Sequence, residues 1–213
     1  MSIDIAALRK DYSKKELKAK DCLENPIEQF NKWFKEALDS EVLEANAMTV
    51  ASVDANGRPS SRTVLIKGVE NGSFVFYTNY NSRKGQQLQE QPFASLTFYW
   101  RELERQVQIE GKVVKVSEET SDRYFESRPY KSKVGAWASE QSQVISSKNV
   151  VTKRFVEHTM KFLNKVPRPP HWGGFAVIPD RIEFWQGRPS RLHDRIVYTM
   201  DENGNWKKER LAP

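Results

Sequence analysis

A mainly β protein, a closed antiparallel barrel with peripheral helices, is the fold class predicted for this 213-residue chain. Three observations predict it. About nine short runs rich in β-branched and aromatic residues succeed one another, most of them separated by tight turn signals. Helical periodicity is confined to a few segments between those runs. Neither a Gly-rich dinucleotide fingerprint nor a P-loop is present, which disfavours a parallel α/β fold.

The first twenty-odd residues, including Leu8-Arg9-Lys10-Asp11-Tyr12-Ser13-Lys14-Lys15, are charged and weakly periodic, so 1–20 are expected to form a mobile arm and 21–213 a single domain. Asn25, Pro26 and Glu28 supply an N-cap, a proline at the first helical position and a capping-box acid. Ile27, Phe30, Trp33, Phe34, Ala37 and Leu38 then make one apolar stripe, which predicts a helix near 26–40. From Ala47 the period changes to that of strands. Runs at 47–54, 59–67, 73–78, 93–100 and 105–116, with turns at Asn56-Gly57 and Asn71-Gly72, predict an antiparallel meander.

Ser82-Arg83-Lys84 leads into a short helix that stops at Pro92. Two more helices are predicted at 117–126, opened by a capping serine, and at 148–163, where Val151, Phe155 and Phe162 recur at helical spacing. After Val166-Pro167-Arg168-Pro169-Pro170, strands return at 173–178, 182–186, 195–200 and 206–211, with Asn203-Gly204 as a further hairpin turn.

Composition narrows the function. Aromatic residues make up 11% of the chain, too many for a disordered one. No apolar run approaches the roughly 20 residues that span a bilayer, and the start lacks a secretion signal, so a soluble, cytoplasmic protein is expected with no membrane partner. The one cysteine, Cys22, excludes an intrachain disulfide, and with three scattered histidines it makes metal chemistry a poor first guess. A net charge of +6 favours an anionic partner, either nucleic acid or a phosphorylated small molecule.

Four clusters could carry chemistry. The segment Tyr77-Thr78-Asn79-Tyr80-Asn81-Ser82-Arg83-Lys84 ends a strand and opens a helix, so free backbone N–H groups, a hydroxyl and two cations converge where an anion binds well; a solvated helix start has the same sequence pattern. On the strand that carries Arg62 and Lys67, a spacing of five points the two cations to opposite faces, either for different groups or as edge protection.

Period 2 would put Arg191, His193 and Arg195 on one face, with Glu183 or Asp194 able to offset their charge in a purely structural network. Tyr124, Arg128 and Ser132, spaced by four, meet on one side if helical geometry continues through them, and ordinary capping around Pro129 is the competing reading. His158 and His171 read as surface or packing residues. The cations form separate clusters mixed with hydroxyls and amides, with no continuous basic stripe, which fits small phosphorylated ligands better than a nucleic-acid backbone.

At this point the chain resembles the pyridoxine (pyridoxamine) 5′-phosphate oxidase family. The strongest piece is Ile182-Glu183-Phe184-Trp185-Gln186 followed, four residues on, by Arg191-Leu192-His193-Asp194-Arg195. Further agreement lies in Arg62–Lys67, Phe76-Tyr77-Thr78-Asn79, Ser82-Arg83-Lys84, Glu104-Arg105-Gln106-Val107, Ser127-Arg128-Pro129, Gly135-Ala136-Trp137, Gln141-Ser142 and Arg210-Leu211-Ala212-Pro213. Matches run in one order from about Leu8 to the end; Glu44 stands where some members have Asp.

The resemblance implies a split β-barrel homodimer with FMN at the subunit interface, an oxidase acting on small phosphorylated pyridine substrates with O₂ as acceptor. By that resemblance FMN contacts fall on Arg62, Thr63, Val64, Leu65, Ile66, Lys67, Tyr77, Thr78, Arg83, Lys84, Gln106, Gln141, Ser142, Trp185 and Arg195. Substrate phosphate contacts fall on Lys67, Tyr124, Arg128 and Ser132, catalytic ring-side contacts on Arg191 and His193, and a covering arm carries Arg9 and Tyr12. A flavin carrier or sensor without oxidase activity, and a cofactor-free nucleic-acid-binding barrel, are the rival readings.

Overall fold

The computed structural model describes Tyr12 and residues 15–213. The expected arm therefore lies largely outside the described residues, and Arg9 with it. The elements run α1 (Pro26–Asp39), β1 (Ala47–Val53), β2 (Pro59–Leu65), β3 (Gly68–Glu70), β4 (Ser73–Asn79), α2 (Arg83–Glu90), β5 (Phe93–Trp100) and β6 (Arg105–Lys115). They continue with α3 (Glu118–Ser127), α4 (Tyr130–Ala138), α5 (Lys148–Lys161), β7 (Trp172–Gln186), β8 (Asp194–Met200) and β9 (Trp206–Leu211).

Hydrogen-bonded neighbours follow the order β2-β1-β5-β6-β7-β4-β3, with β8 on β7 and β9 on β8. The architecture is mainly β with peripheral helices, as the sequence predicts, but it is not a sequential meander. β4 pairs with β7, Phe76 opposite Phe175, because α2 carries the chain away before β5 begins.

Two of the predicted strands, 173–178 and 182–186, are one strand. Pro179 breaks the sequence pattern, yet it falls between the stretch of β7 that pairs with β4, ending at Val177, and the stretch that pairs with β8, starting at Arg181. A residue without an N–H is tolerated there. The predicted strand 59–67 ends at Leu65, and the three-residue β3 turns back on β4 through Asn71-Gly72, whose positive φ values of 48° and 77° suit a two-residue hairpin.

The chain divides into two compact units. One comprises the described part of Met1–Thr49, Leu96–Glu110 and Pro179–Pro213. Its core gathers around α1, capped by Asn25, whose Oδ1 accepts from the Ile27 N–H at 2.8 Å. Phe30, Trp33 and Ala37 are buried there while Leu38, predicted to join the stripe, is exposed. Phe30 packs on Phe98 and Trp33 packs edge-on against Phe184, each such burial contributing about 2 kcal/mol. Asp194 joins remote parts of this unit, accepting the Leu17 N–H at 3.0 Å and Arg210 Nη1 at 2.7 Å, while Arg210 Nη2 donates to the Leu17 carbonyl at 2.9 Å.

The other unit comprises Val50–Ser95 and Gly111–Ile178. Phe74, Phe76, Leu88 and Phe175 are fully buried in it, and a second cluster of Phe125, Val134, Val166 and Trp172 forms under α3 and α4. Helix α2 sits close because residue 85 is glycine: a Cβ there would collide with the Tyr80 carbonyl oxygen. Among the described residues no helix is long and apolar enough to cross a membrane, and no His/Cys/Asp/Glu group could hold a metal ion.

Candidate functional site

A cavity of about 980 Å³ opens in the second unit. At one end, β4 delivers Thr78 and α2 begins at Ser82, whose Oγ accepts from the Gly85 N–H. Lys84 Nζ is held by three neutral oxygens: Gln141 Oε1 at 2.8 Å, Thr78 Oγ1 at 3.0 Å and Ser82 Oγ at 3.3 Å. Burial first, and then the charge of Arg62, push its ammonium down to about 8. Arg62 is also lowered, by burial and by Arg83. Three cations thus share one end of the cavity, and none of them is ion-paired to a carboxylate among the described residues. That donor set calls for a polyanion, of which a phosphate is the compact form.

A second cationic end is built by α3, α4 and the Arg128-Pro129 link between them. Arg128 lies over the Trp172 ring at 4.6 Å, and its Nη1 is buried with no hydrogen-bond partner among the described residues. Tyr124, Ser132 and Lys67 line the same cavity. Helical continuity, the condition under which the spacing of four would bring these groups together, is absent, because Pro129 forces Arg128 into extended backbone; the three groups meet all the same. Lys67 and Arg62 also share the cavity instead of facing apart, since β2 ends at Leu65 and the alternation stops two residues short of Lys67.

An aromatic stack lines the cavity beside Arg128. Tyr77 stacks on Tyr124 with ring centroids 4.0 Å apart and on Trp172 at 5.5 Å, all three rings nearly parallel. Burial, with Glu70 nearby, pushes the Tyr77 phenol up to about 12, so it remains a hydrogen-bond donor at neutral pH.

Fourteen of the predicted site residues line this cavity: Arg62, Thr63, Val64, Leu65, Lys67, Tyr77, Thr78, Arg83, Lys84, Tyr124, Arg128, Ser132, Gln141 and Ser142. Ile66 is buried and absent from the lining. Six lining residues carried no predicted role: Asn79, Pro129, Gly135, Ala136, Ser139 and Trp172. Asn79 belonged to the predicted segment without a role, Ser139 follows α4, and Trp172 opens β7 with no spacing signal to mark it.

The remaining predicted residues, Tyr12, Gln106, Trp185, Arg191, His193 and Arg195, belong to the first unit and do not line the cavity. The predicted period-2 face of Arg191, His193 and Arg195 does not form. β8 starts only at Asp194, and Ser190 and Arg191 turn through positive φ values of 55° and 62°. His193 instead packs against Trp185 at 4.7 Å and Tyr12 at 5.7 Å.

The His193 Nδ1 accepts from the Arg188 N–H at 3.1 Å, which leaves the ring proton of the neutral tautomer on Nε2. Burial and Arg191 lower its pKa. Arg195 is clasped by Glu183 through Nε at 2.7 Å and Nη2 at 3.1 Å, and Arg181 takes the same carboxylate at 2.8 Å. Burial would raise the Glu183 carboxyl, but hydrogen bonds and charge from Arg195 and Arg181 hold it below the usual range. This is the offset that the sequence offered for Glu183.

Fold and cavity together define a split-barrel protein whose cavity is lined by cations, hydroxyls and stacked aromatic rings. Residues 34–161 match the family profile described as pyridoxamine 5′-phosphate oxidase, and residues 172–213 match that of the pyridoxine 5′-phosphate oxidase C-terminal dimerisation region. The chain is 57% identical over 213 residues to the pyridoxine/pyridoxamine 5′-phosphate oxidase of Chromobacterium violaceum, covering 100% of both chains. It is 57% identical over 211 residues to that of Neisseria gonorrhoeae, covering 99% of this chain and 100% of the relative.

Among solved structures it is similar to PhzG from Burkholderia lata 383 in complex with tetrahydrophenazine-1-carboxylic acid, with a TM-score of 0.89 at 29% identity over 96% of this chain and 100% of that one. An FMN-binding, pyridoxamine 5′-phosphate oxidase-related protein of Nostoc punctiforme shares the fold, with a TM-score of 0.70 at 17% identity over 86% and 97% of the two chains. The chain belongs to the pyridoxamine 5′-phosphate oxidase family and, with full-length relatives that are oxidases, is an oxidoreductase.

Proposed function

We propose that this protein oxidises pyridoxine 5′-phosphate and pyridoxamine 5′-phosphate to pyridoxal 5′-phosphate with FMN as cofactor and O₂ as acceptor. The alcohol and O₂ give the aldehyde and H₂O₂; the amine, O₂ and water give the aldehyde, NH₃ and H₂O₂. The observation that carries the reading is one cavity lined by two cationic groups, an acid-free trio at Arg62, Arg83 and Lys84 and a buried, under-partnered guanidinium at Arg128, together with an aromatic stack. One group suits the phosphate of a flavin mononucleotide and the other the phosphate of the substrate. Full-length relatives bearing the oxidase name support the same assignment.

FMN, when bound, supplies the two-electron acceptor that no side chain provides. The residues of the chain hold and orient. Arg62, Arg83, Lys84 and Thr78 would grip the cofactor phosphate, with Gln141 and Ser142 beside them. Lys67, Tyr124, Arg128 and Ser132 would fix the substrate phosphate and so place its C4′ carbon for reaction.

Arg191 and His193 are assigned to the pyridine ring, where the His193 Nε2–H is free to donate because Nδ1 is occupied. Gln106, Trp185 and Arg195 complete the cofactor set in a homodimer, a state supported by the dimerisation-region match. Tyr12, packed on Trp185 and His193, and Arg9 would cover the ring-side groups. We place this activity in the cytoplasm.

The test is direct. Purified protein with FMN is given pyridoxine 5′-phosphate while pyridoxal 5′-phosphate and oxygen are followed in one sample. Equal product formation and oxygen consumption are expected. Flavin binding with neither signal, for alcohol or amine, would leave a flavoprotein with another task.

A further inference from the structure

Gln87 lies on α2 with 3% of its surface exposed. Its Oε1 accepts from Ser52 Oγ at 2.7 Å, from Ser60 Oγ at 2.9 Å and from Arg62 Nη2 at 3.5 Å. The two hydroxyls in turn accept from the Arg62 guanidinium: Nη1 donates to Ser52 Oγ at 2.7 Å and Nη2 to Ser60 Oγ at 2.6 Å. Nη1 also donates to the Val50 carbonyl at 3.2 Å. Each hydroxyl therefore passes a donor from Arg62 on to one amide oxygen, which ends both relays.

Turning the Gln87 amide over would put a donor where three donors already converge. In the observed orientation both hydroxyls and Arg62 Nη2 donate to Oε1, and Nε2 is left buried with no hydrogen-bond partner among the described residues. An amide at this place also does what a carboxylate could not. It fixes the guanidinium in direction without cancelling its charge, so Arg62, Arg83 and Lys84 keep their full positive field for an anion.

We propose that Gln87, through Ser52 and Ser60, is a positioning residue that aims Arg62 at the phosphate end of the cavity and, by being uncharged, preserves selectivity for a phosphorylated flavin. The proposal rests on the FMN reading above. It is tested by equilibrium titration of FMN and of riboflavin, which lacks the phosphate, each followed by flavin fluorescence.

The native protein is expected to bind FMN more tightly than riboflavin. Gln87→Glu keeps the shape and the acceptors but neutralises Arg62, so FMN affinity falls by about tenfold or more while riboflavin affinity stays within about twofold. Gln87→Met removes the acceptor and lowers the preference in the same direction. Ser60→Ala, on the half-buried β2, lowers it by about threefold and carries the test if the position 87 variants do not fold. An unchanged FMN-to-riboflavin ratio, whether both affinities hold or both fall together, overturns the proposal. A native protein that binds both flavins equally overturns the phosphate cradle itself and this inference with it.

Discussion

Raising the pH from 7 to 9 should weaken FMN binding through a single side chain, Lys84. Its ammonium, pushed down to about 8 by burial and by Arg62, has no carboxylate partner and leans on three neutral oxygens. A dianionic phosphate at Nζ restores the hold on the proton. The free protein must then take up a proton to bind whenever the pH exceeds about 8. Linkage makes the dissociation constant grow as 1 + 10^(pH − 8), by a factor of about 2 at pH 8 and about 10 at pH 9. Tyr77, up at about 12, does not titrate in this window, and the FMN phosphate has already lost its second proton near pH 6.

The sign for the flavin-free protein is the reverse. An unfolded lysine keeps its proton to about 10.5, so the cost of burying the Lys84 charge is fully present below about 8 and fades as the pH rises between the two values. Fluorescence titrations from pH 6.5 to 9.5 at fixed ionic strength give the slope of FMN affinity, and calorimetry in two buffers gives the proton uptake behind it. Lys84→Met should bind FMN more weakly and with no slope above pH 7. A native affinity that is flat from pH 7 to 9, or a slope that survives in Lys84→Met, would refute the reasoning.

Three other perturbations separate the remaining roles. Arg128→Ala should raise KM for both substrates by about 10- to 100-fold, from roughly 1–3 kcal/mol of charged hydrogen bonding, with FMN affinity unchanged; steady-state kinetics beside a flavin titration would detect the split. Glu183→Gln leaves Arg195 and Arg181 on a neutral partner and should cost about 3 kcal/mol, a fall in Tm of roughly 6–12 °C by calorimetry, whereas a Tm within 2 °C of native would show that the clasp contributes little. Gly85→Ala forces a methyl into the Tyr80 carbonyl and should lower both Tm and FMN affinity by shifting α2; native values for both would mean that the backbone relaxes freely there.

Local signals in the sequence read well. Asn25-Pro26 marks the start of α1 and Ser82 that of α2, because capping is decided by residues within one turn. Asn71-Gly72 marks a hairpin for the same reason, although the three-residue strand before it is too short to show a period. Reading failed where a distant partner decides the outcome. Pro179 looks like a break until β4 and β8 are seen to take separate stretches of β7, and Lys67 looks opposed to Arg62 until β2 is seen to stop at Leu65. Most of the cavity lining was legible through Arg62–Lys67, the helix start and the Tyr124–Ser132 spacing. Trp172 and Asn79 were not, since a stacking platform and a cavity wall are made by packing and leave no periodic trace.

The Asp194 clasp has a practical corollary for anyone handling the molecule. One carboxylate holds a backbone N–H at position 17 and a guanidinium at position 210, so the early and late parts of the described chain cannot come loose independently. Loosening Leu17 breaks its bonds to Asp194 and Arg210, loosening Arg210 breaks its bonds to Asp194 and Leu17, and the Arg210–Leu17 bond is lost either way. A purification tag or fusion that strains Arg210 therefore also disturbs the segment at Leu17, and the effect would be mistaken for one at the opposite terminus.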